Sequence, residues 1–259
     1  MKFLWVIGYL SLFIGYGLQA QNYTYETYQT KEGHILPYRM LLPTDAGKKP
    51  APVILFLHGA GERGNDNEKQ LTHGSSLFTT PDIRNHYPAI VLMPQCPEDS
   101  YWASMDIDRS SYPIRTDFNY PKKPNWPLQA ALDVVEELIR TGKADPDRIY
   151  IMGLSMGGMG TFEALIRWPK KFAAAAAICG GGMVDKAKRF AGRVPVWVFH
   201  GDADGVVPVD YSRKMVSRLK ELGAQVKYTE YPGVNHNSWD NAFAEPELLP
   251  WLFAHERGK

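Results

Sequence analysis

Uninterrupted apolar runs of strand length alternate along the chain with stretches in which apolar residues recur every three or four positions. The runs are 53–57 (Val-Ile-Leu-Phe-Leu), 89–93, 149–152, 173–178, 194–199 and 226–231. Most are apolar throughout, the pattern of strands covered on both faces in a parallel sheet. The alanines of 173–177 suit a helix on propensity alone; their place between two helical stretches reads as strand. Upstream, 23–28 and 35–42 alternate apolar with polar and predict an antiparallel hairpin. In 128–140, Leu128, Ala131, Leu132, Val135, Leu138 and Ile139 share one helical face. The segment 210–222 carries Met215, Val216, Leu219 and Leu222 in the same relation, and Gly223 stops it. A last helix is expected near 246–256, with Leu248, Leu249, Trp251 and Leu252. Strands and helices in this rhythm predict an α/β fold, a mostly parallel sheet flanked by helices in a single domain.

One stretch breaks the rhythm. Residues 97–127 hold Pro97, Pro113, Pro121, Pro124 and Pro127 among Tyr101, Trp102, Tyr112, Phe118, Tyr120 and Trp126. A loop this long is functional or disordered, and its aromatics argue for order. It leaves the C-terminal end of a strand, where open α/β sheets bind ligands. It is therefore expected as a long aromatic loop over that edge of the sheet.

The first twenty residues stand apart from this pattern. Lys2, the apolar run Phe3 to Ile14 and the small residue Ala20 predict a secretory signal removed after Ala20. Residues 21–259 are then the folded domain, and the protein is expected to be secreted or periplasmic. The run is shorter than the ~20 residues a bilayer needs, so no stable membrane insertion is expected once it is removed. Charge adds an exclusion. The chain has 29 Lys+Arg and 28 Asp+Glu, a net charge of +1, and no concentrated positive field for nucleic acid. Loss of Lys2 with the signal brings the charge to zero, which suits a neutral substrate.

The candidate chemistry lies in short motifs at strand ends. Gly153-Leu154-Ser155-Met156-Gly157 follows the run 149–152 and precedes a helical pattern at 161–167. A serine on a strand-to-helix turn, with glycine two positions away on either side, is a nucleophile elbow. Gly158 and Gly160 let the following helix pack close. After 194–199 comes His200-Gly201-Asp202-Ala203-Asp204-Gly205, where an orienting carboxylate is needed. Asp202 and Asp204 both stand there, and Asp202 also suits a turn-capping acid. After the last strand comes Gly233-Val234-Asn235-His236-Asn237-Ser238-Trp239. His236 completes the order Ser, Asp, His, as general base to Ser155 and then general acid to the leaving group. His73 and His86, in polar loop sequence, are open to substrate contact; His34 and His255 read as surface residues. His58 and His200 each precede a glycine at a strand end and read as structural. An oxyanion hole needs backbone N–H donors. Met156 supplies one, and Ala60 in His58-Gly59-Ala60-Gly61-Glu62-Arg63-Gly64 the other, with Gly61 as the alternative.

These motifs resemble an α/β-hydrolase, over nearly all of 35–256. The combination of 58–64, Gly-Leu-Ser-Met-Gly-Gly at 153–158 and Asn-His-Asn-Ser-Trp-Asp at 235–240 is narrower. It resembles secreted esterases of carbohydrate esterase family 1, the feruloyl and acetylxylan esterases. It is also similar to polyhydroxybutyrate depolymerases and to predicted peptidases and dienelactone-hydrolase-like proteins. The resemblance implies Ser155, Asp204 and His236 as a catalytic triad and 21–259 as an α/β-hydrolase catalytic domain. It implies a small ester or a polysaccharide-linked aromatic or acetyl ester as substrate, hydrolysed through an acyl-enzyme. The family's strand order separates the strands before Cys96 and Cys179 by three steps, roughly 14 Å, against the less than ~7 Å of a disulfide. Both are expected as free thiols.

Trp102 and Trp239 are candidate contacts for an apolar acyl or phenolic group, with packing onto the core as the competing reading. No metal cluster or phosphate-binding glycine loop is present in the sequence, and a triad needs no cofactor; none is expected. A serine peptidase of the prolyl-oligopeptidase-like type uses the same triad and is one alternative. A non-catalytic binding protein on a hydrolase scaffold is another, although it has no need of an intact triad.

Overall fold

A computed structural model describes residues 23–44, 46 and 49–258. The expected signal segment, 1–20, lies outside the described residues. The strands are β1 (Thr24–Gln29), β2 (Ile35–Leu41), β3 (Ala51–Leu57), β4 (Ile90–Pro94), β5 (Met105–Asp108), β6 (Arg115–Phe118), β7 (Ala144–Leu154), β8 (Ala174–Ile178), β9 (Val196–Gly201) and β10 (Val226–Tyr231). The helices are α1 (Pro81–His86), α2 (Trp126–Arg140), α3 (Met156–Arg167), α4 (Val209–Glu221), α5 (Trp239–Phe243) and α6 (Leu248–Phe253). Eight strands form one sheet in the order β1-β2-β4-β3-β7-β8-β9-β10. It is parallel from β4 to β10 and antiparallel at the β1–β2 hairpin and the β2–β4 pair. This is the α/β-hydrolase fold in a single domain.

The continuous apolar runs make physical sense in this sheet because successive side chains point to opposite faces. In β3, Val53, Leu55 and Leu57 enter the core under α2, α3 and α4, while Ile54 and Phe56 enter the core under α1, α5 and α6. β9 divides in the same way, Val196 and Val198 to one side, Trp197 and Phe199 to the other. Two cores served by one strand leave little room for a polar residue, and His200 at the end of β9 is an exception.

The alanine run is strand, as its context predicts: β8 is wholly buried between β7 and β9. Its small side chains let α3 lie close, so that a Cβ on Gly158 would sit 2.5 Å from the Ile178 carbonyl oxygen. Burial within the sheet overrides helix propensity here. α3 itself begins at Met156, five residues before the helical pattern at 161–167, because Gly157, Gly158 and Gly160 hide its periodicity. β4 and β8 are three steps apart, and Cys96 and Cys179 are buried free thiols. Burial raises both thiol pKa values.

The largest departure lies in 97–127. This segment is no featureless loop: β5 and β6 pair as an antiparallel ribbon, with exposure alternating along each strand. The alternation was legible in Met105-Asp106-Ile107-Asp108, but four residues between prolines are too few to stand out. No helix among the described residues is long and apolar enough to cross a membrane.

Candidate active site

β7 runs through the middle of the sheet and ends at Leu154. Ser155 follows with φ 53° and ψ −116°, a conformation that costs a non-glycine residue energy. Its N–H donates to the Ile178 carbonyl (2.8 Å), and its carbonyl accepts from the Met159 N–H (3.0 Å), which starts α3. The clearances explain the flanking glycines. A Cβ on Gly153 would lie 2.2 Å from the Gly157 oxygen, and one on Gly157 1.9 Å from the Leu57 oxygen.

The loops after β9 and β10 bring Asp204 and His236 to this serine. They meet closely enough that a Cβ on Gly201 would lie 2.1 Å from the Val234 oxygen. The Asn235 side-chain oxygen ties them, accepting from the N–H groups of Gly205 (2.9 Å) and His236 (2.7 Å). His236 Nδ1 lies 2.7 Å from Asp204 Oδ2, and its Nε2 lies 2.9 Å from Ser155 Oγ. A carboxylate only accepts, so Nδ1 carries the hydrogen and Nε2 is free to take the serine proton.

Asp204 is buried and satisfied. Its Oδ1 accepts from the N–H groups of Val206 (2.8 Å) and Val207 (2.9 Å), and its Oδ2 faces both His236 and His200. Burial alone would raise its pKa. Hydrogen bonds from His200 and His236 outweigh that and hold the carboxyl well below the usual carboxylate range. Asp202 has a different place: it is exposed and accepts the Gly233 N–H at 2.6 Å, capping the turn after β10.

Ser155 opens into a cavity of about 290 Å³ whose lining includes Ala60, Gly61 and Met156. Met156 is the first residue of α3, so its N–H has no partner within the helix. The loop that holds Ala60 is braced from beneath. His58 is buried; its Nε2 accepts the Cys96 N–H (3.0 Å), so Nδ1–H donates to the Gly59 carbonyl (2.6 Å). Burial lowers the His58 pKa to about 4.

The two tryptophans part ways. Trp239 lines the cavity, with its ring 5.3 Å from that of His236 and 5.1 Å from that of His73. Trp102 does not line it. It is fully buried, its Nε1–H donates to the His58 carbonyl (3.1 Å), and Gly160 of α3 presses against its Cβ. The expectation of a substrate contact at Trp102 is therefore corrected: its indole packs under the loop and finds its polar partner there, as a buried tryptophan must.

The cavity wall that sequence reading missed is built by the ribbon. Met105, Ile107 and Ile114 pack with Met159, Val206 and Val207 into an apolar side. Glu62, His73 and Arg109 supply polar groups. His86 is the exposed last residue of α1 and bonds the Asp82 carbonyl, and His34 stacks on Trp126; neither lines the cavity. Among the described residues, Cys179, Asp204 and His236 place potential metal-ligand atoms within 4.8 Å of one another. Two of them already engage each other, and burial holds the thiol protonated.

Residues 44–246 match the family model described as phospholipase/carboxylesterase. The chain is 26% identical over 204 residues to the carboxylesterase SOBER1 of Arabidopsis thaliana, covering 71% of this chain and 82% of that protein. It is 28% identical over 215 residues to an acyl-protein thioesterase 1 of Neurospora crassa, covering 77% and 84%. A crystal structure of a thermostable esterase superposes with a TM-score of 0.82 at 39% identity, covering 92% of this chain and 64% of that one.

Proposed function

The chain belongs to the phospholipase/carboxylesterase family and is a serine carboxylic ester hydrolase; from that premise we propose that Ser155, His236 and Asp204 hydrolyse aromatic or acetyl esters of polysaccharides through an acyl-enzyme. The observation that carries the reading is the hydrogen-bonded chain from Ser155 Oγ through His236 to Asp204. Ser155 Oγ attacks the ester carbonyl carbon while His236 Nε2 takes the hydroxyl proton. The N–H groups of Ala60 and Met156 receive the oxyanion. Collapse breaks the ester C–O bond, and His236 returns the proton to the departing alcohol. Water then attacks the acyl-serine along the same route in reverse.

The shape of the site supports this substrate class. The apolar wall of Met105, Ile107 and Ile114 suits a compact acyl or aryl group. Ser155 and His236 are half-buried, which leaves the alcohol side open to solvent, as a polymer-linked alcohol requires. The apolar segment 3–14 supports export.

Purified 21–259 should hydrolyse para-nitrophenyl acetate, and Ser155→Ala should lower turnover by at least about a thousandfold while remaining folded. Unchanged turnover would remove Ser155 from its role. Methyl ferulate and acetylated xylan should then be cleaved faster than peptide anilides or para-nitrophenyl palmitate. Preference for the anilides would make the protein a peptidase, and preference for the palmitate a long-chain acyl hydrolase. Activity on none of them would leave a binding protein on a hydrolase scaffold.

A further inference from the structure

The carboxylate that orients His236 has a second histidine partner. His200 is the penultimate residue of β9 and has no exposed surface. Its Nε2 lies 3.1 Å from Asp204 Oδ2, the oxygen that also faces His236, and 3.2 Å from the Val207 carbonyl. Both neighbours only accept, so Nε2 carries a hydrogen aimed at Asp204. Its Nδ1, an acceptor in this tautomer, lies 2.8 Å from Ser212 Oγ of α4, whose single hydroxyl hydrogen is shared between Nδ1 and the Gly180 carbonyl at 3.0 Å. Gly180 is itself wedged against Gly158 and Met159 at the start of the nucleophile's helix. The ring is thus fixed at both nitrogens, between the carboxylate and a hydroxyl that spans α4 and the loop after β8.

We propose that His200 is a positioning residue for this reaction: with Ser212 behind it, it holds Asp204 Oδ2 in line with His236 Nδ1. The two backbone donors on Oδ1 leave the carboxylate able to tilt toward or away from His236; a donor on Oδ2 from the opposite side stops that tilt. The proposal rests on the Ser155–His236–Asp204 reading. Other titratable or charged groups near His200 are Cys179 beside Asp204, and Glu230, its register partner on β10, which is paired with Arg213 of α4 at 2.7 Å.

Two amide variants separate positioning from packing. In His200→Gln the side-chain N–H reaches the place of Nε2 and meets Asp204. In His200→Asn the shorter amide sits at the place of Nδ1 and meets Ser212 alone. Both keep one hydrogen bond, so a merely structural role predicts equal effects. On para-nitrophenyl acetate, His200→Asn should lose about tenfold to a hundredfold in kcat, with KM within about twofold of the parent. His200→Gln should recover about tenfold of that loss. The acid limb of the kcat–pH profile should move to higher pH in His200→Asn, because a carboxylate with one donor fewer holds the proton of His236 more tightly. Equal kcat values for the two variants, or an unmoved acid limb, would overturn the proposal. Ser155→Ala is the control. If it retains turnover, the triad reading falls and this one with it; if it is dead while the two amides behave alike, His200 alone is wrong.

Discussion

The floor of the site and its rim are built on different terms. The floor is Ser155, Asp204, His236 and the 58–64 loop, all at the ends of β7, β9, β10 and β3. There backbone meets backbone: Gly153, Gly157 and Gly201 each sit where a single added carbon would overlap a neighbouring carbonyl. The rim is the β5–β6 ribbon with Tyr101. It reaches the cavity through alternate side chains whose other neighbours face solvent. A floor set by backbone clearance accepts almost no change of residue, whereas a rim set by side chains can be rewritten without moving the sheet. Reaction and selectivity are separable in such a molecule.

The strongest break in this contrast comes at Gly157. Gly157→Ala should destabilise the protein by roughly 4 kcal/mol or more, as expected when main chain is forced aside. An unchanged urea midpoint would show that the floor yields after all. Trp102 and Trp239 come next. Trp102→Ala should cost about 3–5 kcal/mol, the range for emptying a buried aromatic site. Trp239→Ala should cost less than about 1 kcal/mol and show itself in kcat/KM. Equal melting temperatures for the two variants would erase the distinction between brace and wall.

His58 sharpens the comparison through pH. Its folded pKa is lowered by burial to about 4. The unfolded chain takes up that proton near pH 6.5, and the folded chain resists it. Its contribution is therefore full above about pH 6.5 and is lost as pH falls toward 4, by on the order of 3 kcal/mol. His58→Asn should show a shallower fall in urea midpoint between pH 7 and pH 4.5; an identical slope would place the titrating group elsewhere. The smallest effect belongs to the rim. Ile107→Ala should change the ratio of aryl-ester to acetyl-ester kcat/KM by about tenfold, with a melting temperature close to the parent's. A large loss of stability there would make the ribbon part of the core.

The floor was legible and the rim was not, for physical reasons. A nucleophile on a strained turn needs glycine at fixed offsets, and Gly153 and Gly157 announce it. Asp204 and His236 follow in the chain order that this fold requires. The middle of the sheet was legible because strands feeding two cores, such as β3, β4 and β8, are apolar at every position, and β1 and β2 were legible from their alternation. Trp102 misled because aromatic content says nothing about direction: its partners, the His58 carbonyl and Gly160, lie 44 and 58 positions away. Glu62, Tyr101 and Arg109 carried no pattern, since cavity walls obey no period. His200 looked structural from its place before a glycine; its contact with Asp204 four positions on exists only because the 201–204 turn folds back on the strand end.

The backbone of Ser155 has a consequence for durability. At φ 53° and ψ −116° the residue holds a geometry that costs roughly 1–3 kcal/mol for any side chain but glycine's. The sheet beneath it bears that load at every moment, whether or not substrate is present. With Ser155 as the proposed nucleophile, a chain with glycine at this one position should be sturdier and inert, so selection for longevity and selection for turnover would pull against each other at a single amino acid.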